Sequence, residues 1–410
     1  MGTLKAGPPD VASIAELAQM PGVRECLQWV VRERLWINEQ QLQVCRIPAP
    51  TFLEGKRADW MITQFRAYGY DARIDRAGNV VAQVDANARG PFIALTAHLD
   101  TVLAPRTADD IKIKPDGTML GPGVSDNGAG LAALLAIARS MKASPRVDTP
   151  NSVLFVANVG EEGEGNLSGM RYLCRQSSLA SKIRGFIVLD GPTTDHITCQ
   201  ALASRRFEIT FSGPGGHSWS DFGIGNPVHA LSRAIALFTD DPSSRLTSAP
   251  RASYNFGTIE GGSSINSIPT EARSKVDIRS ESAARIDELV ELLTASVDNS
   301  LQSENERSTG GRVSARLKEV GSRPGGRLAE GAPILRYIRA VDAHLGIRSH
   351  LDCASTDANI PLSMGQAAIS IGAGGQGGGA HTPNEWFHPD GREVGLRRIL
   401  LALFSLLLEQ

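Results

Sequence analysis

The sequence has few aromatic residues, no excess of either charge and no hydrophobic run long enough to cross a bilayer. Aromatic residues make up 5% of the 410 residues, and 42 basic residues are balanced by 44 acidic ones, for a formal net charge of −2. Without a basic excess, binding to nucleic acid or to an anionic membrane surface is not expected. The longest apolar stretch, Ile399 to Leu408, is too short to span a membrane and predicts a C-terminal core helix.

Cysteines are also few, and the five present are scattered without a CxxC pair. Such a set is typical neither of a disulfide framework nor of a structural zinc site, and it favours a reducing compartment. Residues 1–10 lack the apolar segment that a signal peptide requires. These observations predict a cytoplasmic protein.

The chain contains enough apolar material, 41% of its residues, to form sizeable cores. Its length predicts two to three domains at about 150 residues each. Helical spacing of apolar residues over 11–46 predicts a helix that ends at Ile47-Pro48-Ala49-Pro50. Thr51 and Glu54 then form a capping-box pattern, which predicts that a second helix begins there and continues to about Tyr68.

Apolar runs alternate with helical segments in the first half of the chain. The runs at 92–95, 152–159 and 186–189 are typical of strands buried on both faces, and helical segments at 128–142 and 168–178 separate them. This alternation predicts an α/β fold class with a mixed, mostly parallel sheet in a three-layer α/β/α arrangement.

From about residue 204 the pattern changes to half-exposed strands. The order β-α-β-β-α-β over residues 204–322 predicts a ferredoxin-like α+β domain. The segment 321–327, GSRPGGR, is predicted to be the exit linker, after which the α/β pattern returns. The predicted organisation is therefore one α/β domain, residues 1–203 and 323–410, interrupted by an inserted domain, 204–322.

Each predicted buried strand leads directly into acidic or histidine residues. His98 and Asp100 follow the first run, Glu161-Glu162 the second and Asp190 the third. In open α/β sheets, ligands bind outside the carboxyl ends of the strands, so these side chains are expected to converge. Histidine and carboxylate donors without cysteine fit Zn, Mn or Co.

The complete set of motifs resembles a known family. The set comprises His98-Leu99-Asp100, Asp126, Glu161-Glu162, Asp190 and His381, in that order, with Ile47 to Thr51, Gly213-Pro214-Gly215-Gly216-His217-Ser218, and Gly261-Gly262 to Asn266. It is similar to the dinuclear zinc peptidases and deacylases that include peptidase T, carboxypeptidase G, aminoacylase and acetylornithine deacetylase, and most of all to the peptidase-T-like members. The resemblance covers nearly the whole chain.

The resemblance implies two divalent metal ions, with zinc as the first choice and cobalt or manganese as alternatives. It implies that Asp126 bridges the two ions. His98 and Asp190 would complete the first site, and Glu162 and His381 the second.

Further roles follow from the same resemblance. Asp100 would orient His98, and Glu161 would be the general base that takes a proton from water and passes it to the leaving amine. A base of this kind must not itself be a metal ligand, so two adjacent glutamates that point in different directions suit the chemistry. The family also implies a cis peptide bond between Asp126 and Asn127, where many members have a second Asp in place of Asn127.

The inserted domain is expected to act as a lid and to form a homodimer. In the family, the residue matching His217 stabilises the oxyanion, often from the partner subunit. Asn266 and Arg279 match positions that can hold a substrate carboxylate or backbone, since a guanidinium binds a carboxylate in a bidentate manner. Asn359 is a further candidate for the substrate pocket.

The predicted function is hydrolysis of amide bonds in small peptides by a di-, tri- or aminopeptidase. An N-acyl-amino-acid deacylase or carboxypeptidase-like amidohydrolase is the alternative. A metal-binding homologue without catalytic activity is a remote one. The expected partners are a small peptide or N-acyl amino acid and a second copy of the chain, without nucleic acid or membrane.

Overall fold

The computed structural model describes residues 11–84, 90–244 and 250–409, which belong to two compact units. One unit combines Met1–Ala201 with Gly326–Gln410, and the other is Leu202–Gly325. Residues 1–10, on which the prediction about a signal peptide was based, lie outside the described residues.

The α-helices, numbered in chain order, are α1 Val11–Gln19, α2 Pro21–Arg32, α3 Arg34–Cys45, α4 Gly55–Ala67, α5 Gly128–Ala143, α6 Ser168–Arg175, α7 Pro227–Asp240, α8 Ala283–Arg307, α9 Pro333–Leu345, α10 Asn359–Ser363 and α11 Arg392–Leu407. The strands are β1 Asp71–Ile74, β2 Val80–Gln83, β3 Phe92–His98, β4 Lys112–Ile113, β5 Met119–Leu120, β6 Ser152–Asn158, β7 Ile183–Leu189, β8 His196–Ala201, β9 Ala203–Ser212, β10 Gly216–His217, β11 Ala252–Gly261, β12 Ser267–Ile268, β13 Glu271–Ser280, β14 Ser314–Arg323, β15 Gly326–Arg327, β16 His350–Ala354, β17 Ala367–Ile371, β18 Gln376–Gly378 and β19 Trp386–His388.

The first unit is built on a nine-stranded mixed sheet in the order β1-β2-β6-β3-β7-β17-β8-β15, with β16 also paired to β8. At its centre, β3 pairs in parallel with β6 and β7, and β7 pairs in parallel with β17. The strand β3 is buried along its whole length. Apolar runs of this kind suit parallel strands that are covered on both faces. The predicted α/β class, with parallel strands at the centre of a mixed sheet, is confirmed.

The single helix predicted over residues 11–46 is wrong, because the structure has three helices there. Met20, between α1 and α2, has an extended backbone with φ −58° and ψ 131°, and Pro21 begins α2. A proline disfavours the helical conformation of the residue before it, which explains the first break. Glu33 separates α2 from α3 with φ −93° and ψ 21°.

The C-terminal helix α11 is a core helix, as predicted, and it packs against α9, α2 and β3. None of the described helices combines the length and the apolar character needed to cross a membrane. All five cysteines are free thiols, and four of them are buried.

The second unit contains a four-stranded antiparallel sheet in the order β11-β13-β9-β14, against which α7 and α8 pack. Apart from the short strands β10 and β12, which pair with each other, these elements run β9-α7-β11-β13-α8-β14 along the chain. This is the predicted ferredoxin-like β-α-β-β-α-β arrangement. The predicted linker 321–327 is corrected, since β14 continues to Arg323 and Gly326–Arg327 forms β15 in the large sheet.

Candidate metal centre

The polar residues that follow the parallel strands come together at one edge of the nine-stranded sheet. His98 is the last residue of β3, Asp190 follows β7 directly, and Glu162 lies in the loop after β6. Parallel neighbours end at the same edge, which explains why these side chains converge. Asp126 reaches this edge from the loop before α5, and His381 from the loop between β18 and β19.

Asp126 lies between two imidazole rings and presents one carboxylate oxygen to each. Its Oδ1 is 3.0 Å from His98 Nε2, and its Oδ2 is 3.0 Å from His381 Nε2. Asp190 Oδ1 is 3.8 Å from the same nitrogen of His98, and Glu162 Oε1 is 2.8 Å from His381 Nε2. The structure thus brings together all five residues that were predicted as metal ligands.

The donor set fits a divalent metal ion. The converging atoms are imidazole nitrogens and carboxylate oxygens, which are suitable donors for Zn, Mn and Co. Ligand atoms of His98, Asp126 and Glu162 all lie within 4.8 Å of one another. His98 Nδ1 is 3.0 Å from the carbonyl oxygen of Asp100, which can only accept a hydrogen bond. The neutral His98 ring therefore carries its proton on Nδ1 and directs the lone pair of Nε2 into the site.

Carboxylates favour the protonated form of both imidazoles in the metal-free protein. Burial would lower the pKa of His98, but hydrogen bonds to three neighbouring aspartates raise it well above its ordinary value. Hydrogen bonds to Asp126 and Glu162 raise the pKa of His381 to about 10. Burial would raise the pKa of Asp126, yet its hydrogen bonds to the two histidines hold it well below its ordinary value. Because a metal ion needs neutral imidazole nitrogens, its binding to this site would release protons.

Asp100 connects the end of β3 to the loop that carries the two glutamates. Its Oδ1 accepts a hydrogen bond from the backbone N–H of Glu161 at 3.0 Å, and its Oδ2 accepts one from the backbone N–H of Glu162 at 2.9 Å. Thr51 Oγ1 also donates to Oδ2, at 2.9 Å. Although burial would raise the pKa of Asp100, its bond to His98 lowers it. These contacts hold the backbone of both glutamates relative to His98.

The adjacent glutamates are both buried. Glu162 Oε1 faces the imidazole of His381. Glu161 is 4% exposed. The contact with His381 fits Glu162 as the metal ligand of the pair.

The peptide bond between Asp126 and Asn127 is cis, which confirms what the family resemblance implied. Asn127 is fully buried, and its Oδ1 accepts a hydrogen bond from the backbone N–H of Gly130 at the start of α5, at 3.2 Å. Its Nδ2 donates to the carbonyl oxygen of Leu189 at the end of β7, at 2.8 Å. Asn127 therefore joins the two segments that carry Asp126 and Asp190.

The capping box predicted for Thr51 and Glu54 is wrong. Helix α4 begins after Glu54 without a side-chain cap. Thr51 instead binds Asp100, and Glu54 Oε1 accepts a hydrogen bond from the backbone N–H of Gly160 at 3.1 Å. Both residues therefore support the loops of the metal centre, since their hydrogen-bond partners lie in distant segments of the chain and not in the first turn of α4.

Sequence reasoning also missed two buried charged residues near the site. Arg57 is fully buried and donates to the carbonyl oxygens of Ile47 and Leu99, each at 2.7 Å. Glu385 is buried and binds the loop that carries Asp126. The proximity of Glu385 to His381 along the chain, and of Arg57 to the segment 47–51, were the signals available in the sequence.

His217 and Asn266 lie side by side in the second unit. His217 pairs with Ser267 between β10 and β12, and the backbone N–H of Ser218 donates to the carbonyl oxygen of Asn266 at 3.0 Å. His217 Nδ1 accepts from the backbone N–H of Trp219, at 3.2 Å. The neutral His217 ring therefore carries its proton on Nε2, which makes Nε2 a hydrogen-bond donor.

The other two predicted substrate residues have different surroundings. Arg279 is the second-to-last residue of β13. Its Nε donates to Asp277 Oδ2 at 2.6 Å. Asn359 is fully buried, and its Oδ1 accepts from the backbone N–H of Thr356 at 3.0 Å. This contact gives Asn359 a part in folding its own loop.

The chain belongs to peptidase family M20/M25/M40, whose model matches residues 94–404. This finding confirms the family resemblance inferred from the motifs. A solved tripeptidase from Staphylococcus aureus has the same fold, with a TM-score of 0.72 at 20% identity over 91% of this chain and 98% of that one.

Two curated relatives match over shorter regions. A peptidase M20 domain-containing protein of Sordaria macrospora is 26% identical over 243 residues, which cover 56% of this chain and 52% of the relative. The cytosol non-specific dipeptidase of Escherichia coli is 26% identical over 292 residues, which cover 63% of this chain and 56% of the relative. The chain thus matches about half the length of these relatives.

Proposed function

We propose that this chain is a metal-dependent hydrolase that cleaves amide bonds of small peptides, as a di-, tri- or aminopeptidase. The observation that carries the proposal is the position of Asp126, with one oxygen toward each of two imidazoles. A carboxylate placed in this way can bridge two divalent ions. His98 and Asp190 would complete one site, and Glu162 and His381 the other. Zinc is the proposed metal, and cobalt or manganese would suit the same donors.

Two divalent ions held by these residues would supply Lewis-acid chemistry, lowering the pKa of water and stabilising negative charge on the substrate carbonyl oxygen. Glu161 would accept the proton of the attacking water and deliver it to the leaving amine. Asp100 would keep His98 oriented and hold the backbone of Glu161 in place. The burial of Glu161 supports this role, since a base sheltered from solvent retains the transferred proton between the two steps.

The second unit is proposed to be the lid and dimerisation domain. His217 would donate a hydrogen bond from Nε2–H to the developing oxyanion, and the bond from Trp219 to Nδ1 places the proton of the neutral ring on Nε2. Asn266 and Arg279 remain proposed contacts for the substrate backbone or carboxylate. Three nearly fully exposed apolar side chains near His217, namely Trp219, Phe222 and Ile265, support burial of this surface in a homodimer.

We place the protein in the cytoplasm, which its five free cysteines support. The substrate class is tested by incubating the metal-loaded protein with a free dipeptide, its N-acetylated form and its C-terminal amide, followed by mass spectrometry. Cleavage of the free dipeptide and the amide, but not of the acetylated form, is the expected result for an aminopeptidase.

The same experiment distinguishes the alternatives. Cleavage that tolerates acetylation but requires the free carboxylate would replace the proposal with a carboxypeptidase or deacylase. If the wild-type protein binds metal but cleaves none of the amides tested, a non-catalytic metal-binding role would replace it.

A further inference from the structure

Glu385 binds the loop that carries Asp126 through three backbone hydrogen bonds. Its Oε2 accepts from the N–H of Gly123 at 2.7 Å, and its Oε1 accepts from the N–H groups of Ser125 and Asp126, each at 2.8 Å. The side chain is buried, at 3% exposure. Its own backbone carbonyl accepts a fourth hydrogen bond, from the N–H of Gly121 at 3.0 Å.

The loop needs such an acceptor because its N–H groups converge on one point. Gly121 and Gly123, in this loop, have φ values of +136° and +75°, which glycine adopts more readily than other residues. Buried N–H groups that lack an acceptor destabilise the folded state. A carboxylate, with two acceptor oxygens and no hydrogen of its own, satisfies all three groups at once.

Glu385 is also connected to His381 through a compact turn. Within this turn, Thr382 Oγ1 donates to the carbonyl oxygen of Gly379 at 2.7 Å, and the N–H of Glu385 donates to the carbonyl oxygen of Thr382 at 3.3 Å. Immediately afterwards, β19 pairs with β5 in antiparallel orientation. One side chain thus ties the loop of Asp126 to the turn of His381, and these two residues approach to 3.0 Å.

We propose that Glu385 is a positioning residue that sets the spacing between Asp126 and His381 and thereby the metal affinity of the site they share. The inference rests on the proposed function, because it assumes that these two residues are metal ligands. Glu385 touches neither metal nor substrate in this scheme and acts only through the backbone of Asp126 and the turn of His381.

The test compares Glu385→Gln with Asp342→Asn, a matched control in the same unit. Asp342 is a buried carboxylate that binds Arg398 at 2.6 and 2.7 Å. In Glu385→Gln an amide NH₂ replaces one acceptor oxygen and opposes at least one of the three N–H groups. Zinc affinity is measured by competition with a chelator, the Co(II) form by its visible absorption spectrum, and folding by thermal unfolding of the metal-free proteins.

We expect Glu385→Gln to weaken the binding of one of the two metal ions about 10- to 100-fold, to change the Co(II) spectrum, and to lower kcat more than it changes KM. Asp342→Asn should unfold at a lower temperature yet keep wild-type metal affinity and spectrum. If Glu385→Gln folds poorly, Glu385→Asp keeps the charge on a shorter side chain and should give an intermediate loss of affinity.

Wild-type affinity and Co(II) spectrum in a folded Glu385 variant would overturn the inference, leaving Glu385 a purely structural role. A wild-type protein that binds no divalent ion would instead overturn the proposed function, so the two failures are distinguishable.

Discussion

The side-chain amide of Asn127 donates a hydrogen bond of 2.8 Å to the carbonyl oxygen of Leu189, and both residues are fully buried. This bond requires a donor, which an ionised aspartate does not have. It therefore gives a physical reason for asparagine at a position where many members of the family have aspartate.

The first prediction concerns Asn127→Asp. The variant would place a buried carboxylate against a carbonyl oxygen, so we expect a loss of about 3 kcal/mol in the free energy of unfolding, the upper part of the range for an unmet buried group. Urea unfolding of the metal-free protein measures it. Asn384→Asp, the same change at an exposed position near the site, should be nearly neutral. Equal stability of the two variants would contradict this account of Asn127.

The second prediction concerns Glu161. Glu161→Gln removes the proposed base but keeps the size of the side chain, so kcat should fall about 10²- to 10⁴-fold while metal content stays at the wild-type level. Metal analysis and peptide hydrolysis of the same preparation measure both quantities. The exposed neighbour Glu164 provides the control, and Glu164→Gln should retain activity. Loss of metal in Glu161→Gln would show instead that Glu161 is a ligand.

The third prediction concerns pH and the buried carboxyl of Asp357. Burial raises its pKa from 3.8 to about 7. One oxygen accepts from Asn158 Nδ2 at 2.6 Å, whereas the other finds no hydrogen-bond partner among the described residues. Between about pH 4 and 7, Asp357 is therefore protonated in the folded protein and ionised in the unfolded chain.

In that window the contribution of Asp357 to stability falls as pH rises, by up to about 1.4 kcal/mol per pH unit. Asp357→Asn cannot ionise, so its free energy of unfolding should decline less steeply than that of the wild type from pH 4 to 7. Urea unfolding of the metal-free proteins across this range measures the slopes. Asp390→Asn, at an exposed carboxyl, should follow the wild type. Parallel curves for the wild type and Asp357→Asn would refute the prediction.

The fourth prediction concerns the exposed apolar side chains near His217. Trp219 and Phe222 are 86% and 88% exposed, which is unusual for such large apolar groups. We expect the wild type to have the mass of a dimer in light scattering and the double variant Trp219→Ser, Phe222→Ser to shift toward the monomer. Leu35→Ser, at a residue 75% exposed in the other unit, is the control and should remain dimeric. A monomeric wild type would refute the proposed dimer.

Much of the fold could be predicted from local patterns. The run that forms β3 is apolar over its length because both faces are covered, and that signal lies within a few consecutive residues. The change to alternating strands near residue 204 predicted the antiparallel sheet of the second unit, because a strand with one face in solvent alternates polar and apolar residues. The breaks at Met20 and Glu33 were missed because the apolar spacing continues across both, although Pro21 marked the first of them.

Support for the metal centre was harder to predict, since its partners are far apart along the chain. Thr51 and Glu54 match a capping box, but Asp100 and the N–H of Gly160 proved to be their partners. Glu385 binds backbone N–H groups, which every residue except proline has, so no side-chain pattern marks its target.

The sequence by itself determined the fold class, the family and the residues that gather at the sheet edge. Strand burial and the polar residues at strand ends can be recognised from a few consecutive residues. Only the tertiary structure decided which oxygen of Asp126 faces which histidine, and that Glu385 ties their loops together. Those relations depend on contacts of 2.7 and 3.0 Å between segments more than 250 residues apart, and such contacts are set by the packing of the whole unit.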